Sequence, residues 1–115
     1  MRNIVMVVAM ALMLVACASV QTNAGKFLAT TALTADGLMQ GWAVWVTKGQ
    51  ATVEQETSVR TLYARYQVSM MVATNAYSLL VTTGDATAWN QAQATVLANQ
   101  AALGKTINKY QTEVK

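Results

Sequence analysis

The stretch TVEQETSVRTLYARYQVSMMVATNAYSLLVTTGD, residues 52–85, decides the fold. Within it Val59, Tyr63, Tyr66, Met70, Ala73, Tyr77 and Leu80 advance alternately by four and three residues, the period of one helix face. The run carries its own punctuation. Thr52 and Gln55 stand at capping-box spacing, and Glu54 and Glu56 fall in the first turn, where the helix dipole favours acids. Thr83-Gly84 supplies the stop. These features predict a helix over 53–83.

The same period continues on both sides. Upstream, Leu28, Ala32, Ala35, Met39, Trp42 and Val46 mark one face of a helix over about 24–47, which Gly49 ends. Downstream, Asp85 is placed to cap a third helix over about 86–111, where Trp89, Val96, Leu103 and Tyr110 recur every seven residues beside Ile107. The intervening seam carries Gln93, Asn99 and Gln100, so this helix has the weakest apolar face. Proline is absent and strand-like alternation is hard to find. Three helices joined by short loops predict an all-α, up-down-up three-helix bundle. Its expected layers are Phe27, Leu80 and Trp89; then Leu38, Leu103 and either Leu62 or Tyr63; then Trp42, Trp45, Val59, Ile107 and Tyr110.

Ahead of the bundle, Met1-Arg2-Asn3 leads into fifteen apolar residues, 4–18, which include Cys17, the only cysteine. A bilayer span needs about twenty residues, so this run has the length of a secretory signal core. The closing residues Leu14-Val15-Ala16-Cys17 resemble the lipobox of bacterial lipoproteins. The resemblance implies cleavage before Cys17, a diacylated Cys17 thiol (palmitate being a typical chain) and an acylated new amino terminus. It divides the chain into a signal peptide (1–16), a lipidated tether (17–23) and the helical domain (24–115). Within that class, Ala18 in place of Asp implies the periplasmic face of the outer membrane. Two or three acyl chains anchor stably where one does not, since each buried methylene contributes about 0.8 kcal/mol. The competing reading of the same run is an uncleaved transmembrane anchor with an incidental cysteine.

Composition excludes most chemistry. Histidine is absent and the one thiol is assigned to lipid, so no Ser-His-Asp or Cys-His arrangement is available. Five scattered acids have no zinc-site spacing, and the six glycines stand singly, without a phosphate-binding loop. Glu54, Glu56 and Glu113 could share one end of the molecule as paired carboxylates do in glycosidases. The helix dipole already accounts for the first two. No catalytic residue, metal ligand or cofactor is expected, and the protein reads as non-enzymatic. Losing the leader removes Arg2 alone among the charges, taking the net charge from +3 to +2. With no basic stripe, nucleic acid is not an expected partner.

Charge is unevenly placed. Across residues 66–104 the only charged side chain is Asp85. A soluble bundle normally has a charged outer face. Three readings follow: a quiet surface tolerated because the anchor limits diffusion, an interface with another copy or an envelope protein, or insertion of helix 2. Ser69, Thr74, Asn75 and Ser78 make insertion expensive. The expected interface positions are Val68, Met71, Asn75 and Leu79 on helix 2, with Gln91, Ala94, Ala98 and Ala101 on helix 3. At the far end Lys105, Lys109 and Lys115 suggest contact with anionic wall polymer, diluted by nearby acids. The leading reading is an envelope lipoprotein that binds a protein partner or self-assembles. An alternative is a peptidoglycan tether, because Lys115 after Tyr110 resembles the end of the major murein lipoprotein. The chain departs from that pattern at Gly49, at Gly84-Asp85 and at Val114. A further alternative is a phage-derived lysis lipoprotein, although outer-membrane spanin subunits tend to be proline-rich.

Overall fold

Three helices organise the chain: α1 (Arg2–Thr47), α2 (Val53–Thr83) and α3 (Thr87–Thr112). The computed structural model describes the backbone of residues 2–113 and the side chains of residues 21–113, and it contains no strand among them. The protein is all-α, a three-helix bundle.

Local chemistry explains the boundaries. The Thr52 hydroxyl accepts from the Gln55 N–H at 3.1 Å, and the Gln55 carboxamide oxygen accepts from the Thr52 N–H at 3.0 Å. The capping box therefore closes in both directions and satisfies two otherwise orphaned donors. Gly84 ends α2 at φ 75°, its N–H donating to the Leu80 carbonyl at 2.9 Å. Gly49, at φ 71°, turns the chain after α1 in the same left-handed conformation, which side chains with a Cβ disfavour.

In the full chain, residues 17–23, read as a tether after cleavage, run within the continuous helix α1. One expectation needs correction here. Asp85 is not the N-cap of α3: that place belongs to Ala86, which makes no side-chain cap bond. Asp85 instead accepts from the Thr87 N–H at 3.0 Å from one position upstream. Because Gly84 and Asp85 complete the turn, α3 starts a residue later than its spacing implied.

α2 and α3 approach each other most closely. Their facing positions explain why: Ser69, Ala73 and Ala76 on α2 and Ala92 and Val96 on α3 are all small and buried. α1 is held off by longer side chains. Phe27 meets Trp89 edge-on at 5.7 Å between ring centres, and Trp42 meets Tyr110 at 6.0 Å. The Tyr66 hydroxyl donates to the Thr31 carbonyl at 3.2 Å. Burial in the surrounding apolar cluster holds the Tyr66 phenol above its ordinary pKa, with smaller contributions from Tyr63 and Asp36.

The core forms two clusters where three layers were expected. One gathers Ala24, Ala35, Tyr66, Ala73, Leu80, Trp89 and Val96, with Phe27 packed against it. The other gathers Trp42, Val59, Leu103 and Ile107, with Leu38, Trp45, Leu62, Tyr63 and Tyr110 around them. The expected middle layer thus merges with the distal one, because Leu103 reaches both Leu38 and the tryptophan side. Trp45 is half-buried, and its indole N–H is buried without a partner. On α1 the buried face includes Thr31, one position before the Ala32 that the apolar spacing selected.

Candidate functional site

Along α2, the side facing away from the core is apolar and open to solvent: Val68 is 61 % exposed, Met71 67 %, Val72 54 % and Leu79 42 %. The threonines on the helix surfaces deepen this character. The hydroxyls of Thr61, Thr74, Thr82 and Thr95 each donate to the carbonyl four residues earlier, at 2.8–3.1 Å. Each hydroxyl is folded back on its own helix, so its donor is spent within that helix.

Between α2 and α3 runs a groove of about 950 Å³. Its floor and walls include Ala64, Val68, Ser69, Val72 and Ala76 from α2 and Ala88, Gln91, Ala92, Thr95 and Asn99 from α3. The floor is recessed because the residues at the α2–α3 contact are small. Arg60 and Arg65 stand at one end, beside Thr61, and are the only charged side chains that line the groove. The Asn99 carboxamide donates to the Arg65 carbonyl at 3.5 Å and ties the helices together there.

The expected interface residues are all exposed, and two of them line the groove. Val68 and Gln91 lie in the walls of the groove. Asn75, Leu79, Ala94, Ala98 and Ala101 are exposed but lie outside it. Met71 lines a separate depression with Ala32 and Asp36, on the α1 side of α2. At about 100° per residue Val68, Asn75 and Leu79 fall within about 40° of one another on α2, with Met71 about 40° further round, and Gln91, Ala94, Ala98 and Ala101 fall within about 80° on α3. Sequence reasoning missed Arg65, Val72, Ser69, Ala92 and Thr95. The available signal was the run of small residues Ser69, Ala73 and Ala76 opposite Ala88 and Ala92, which brings two helices close and leaves a hollow beside the contact.

The remaining candidates are dispersed. Cys17 lies on α1, four residues before Gln21; its side chain is outside the described residues. The Gln21 carboxamide donates to the Leu80 carbonyl at 3.5 Å, so this part of α1 lies beside the α2–α3 corner. Lys105 is exposed, and Lys109 pairs at 4.0 Å with Glu113 in the only ion pair among the described residues. Lys115 lies outside the described residues. Asp85 is fully exposed, and its carboxyl is held below the ordinary range by the bond from the Thr87 backbone. Among the described residues no group of acids could hold a metal ion, and no helix is long and apolar enough to cross a membrane. Compared with family models, curated proteins and solved structures, the chain finds no match.

Proposed function

We propose that this protein is a non-enzymatic lipoprotein of the bacterial envelope, anchored by acylated Cys17 at the periplasmic face of the outer membrane, whose outer α2 face serves for protein interaction or self-assembly. One observation supports the interaction reading above the rest. Val68, Val72 and Leu79 are exposed together on a helix that carries no charge between Arg65 and its end. Contiguous exposed apolar surface of this kind marks interaction sites. The anchor reading rests on Leu14-Val15-Ala16-Cys17 closing the apolar run. In this arrangement Gln21 and the α2–α3 corner lie near the membrane, and the α1–α2 loop points away.

Two measurements test the proposal. The intact mass of membrane-extracted protein should match a chain beginning at acylated Cys17, and Cys17→Ser should accumulate as precursor. A mass equal to the unmodified full chain refutes the anchor. For the interface, envelope crosslinking of the native protein should trap a partner or a second copy. Leu79→Glu or Met71→Glu should weaken that product without loss of helicity, because an introduced charge is costly to bury. Crosslinks unchanged in both variants would remove α2 from the interface.

A further inference from the structure

The groove between α2 and α3 has a chemistry of its own. Its walls are apolar at Val68, Val72, Ala76 and Ala92, and its only charged side chains, Arg60 and Arg65, stand at one end. Neither arginine is ion-paired, since Lys109–Glu113 is the only such pair among the described residues. A cavity of about 950 Å³ lies within the size range of small-molecule sites, about 300–1,000 Å³, which are mostly apolar with a few placed polar groups. From Arg60 to Ala76 the groove follows α2 for about 24 Å, at about 1.5 Å per residue. One leaflet of a bilayer, about 15 Å of hydrocarbon, sets the reach of a single acyl tail, so a tail fits with its head at the arginines.

We infer that this groove binds a single-chain anionic amphiphile, its tail along Val68, Val72, Ala76 and Ala92 and its head group at Arg60 and Arg65. Arginine suits this role because its planar fork donates to carboxylate and phosphate oxygens alike. A second copy meeting the groove in the same orientation is disfavoured, because it would bring the arginines of both chains together; Met71 and Leu79, outside the groove, stay open for the protein contacts proposed above. The inference is independent of Cys17 acylation, which concerns a different helix and end of the chain.

The test uses the full chain in phosphatidylcholine vesicles with three probes carrying a photoreactive group in the tail: a fatty acid, a lysophosphatidic acid and a trimethylammonium compound of equal chain length. The anionic probes should label the peptides holding residues 68–76 and 88–92, and the ammonium probe should label them about tenfold less. Labelling by the fatty acid alone identifies a carboxylate ligand, and labelling by the lysophosphatidic acid alone identifies a phosphate head group. The double variant Arg60→Gln/Arg65→Gln should lower anionic labelling about tenfold. Thr95→Trp fills the groove from an exposed position and should abolish labelling while circular dichroism stays unchanged. Equal labelling by the ammonium probe, an unlabelled groove, or full labelling of the arginine double variant overturns the inference.

Discussion

Replacing Leu103 by alanine tests whether one packed cluster holds the distal half of the bundle. Leu103 is 0 % exposed and sits among Trp42, Val59 and Ile107, with Leu38 packed alongside. The change deletes three carbons, worth about 2.4 kcal/mol at about 0.8 kcal/mol per buried methylene. The surrounding rings cannot collapse fully into the space, so a cavity term adds to this, and the total should be about 3 kcal/mol. A domain of this size holds about 5–14 kcal/mol in all. At about 4–8 °C per kcal/mol, the midpoint of thermal unfolding should fall by about 12–24 °C. Circular dichroism at the helical band measures it, with Leu97→Ala as the comparison. Leu97 is on the same helix but 49 % exposed, and its truncation should cost under about 1 kcal/mol. Equal midpoints for the two variants would refute the reasoning, because a buried and a half-exposed leucine would then count alike.

Thr52→Ala should cost about 1 kcal/mol by opening the capping box, and adding Gln55→Ala should cost little more, read from urea midpoints. Gly84→Ala should cost about 1–2 kcal/mol because φ 75° is strained for alanine. Gly41→Ala, in the interior of α1 with open space around the new Cβ, should stabilise by up to about 1 kcal/mol, so thermal midpoints should move in opposite directions. Tyr66→Phe should cost about 1 kcal/mol through loss of the bond to Thr31. It should also flatten the alkaline limb of stability. Burial holds the Tyr66 phenol above its usual 10.0, so its contribution is complete below that value and is lost as pH rises through the higher folded value. A wild-type alkaline slope equal to that of Tyr66→Phe would contradict this.

Much of the fold could be read from short-range pattern alone. The capping box at Thr52 and Gln55, the glycine stops at 49 and 84, and the four-and-three spacing through Tyr66 and Leu80 each depend on residues within a turn or two. Local hydrogen bonding and helix geometry determine them before any helix meets another. Leu103, Val59, Trp42 and Ile107 were identifiable as core for the same reason, since a large apolar side chain on the repeating face has little alternative to burial.

Tertiary structure decided what identity and spacing leave ambiguous. Thr31 is buried and Ala32 only half-buried, and Tyr66 of α2 donates to the Thr31 carbonyl, so the way α2 packs decides which part of the α1 face is covered most deeply. Asp85 serves the turn and not the cap, because Gly84 directs the chain there. The groove depends on three helices at once: small residues draw α2 and α3 together, aromatic side chains hold α1 on the opposite side, and the hollow between the first two stays open. A sequence pattern records which face of a helix is apolar. The distance between two faces depends on how their side chains interlock, and at Ser69, Ala73, Ala76 and Ala92 that distance created the groove.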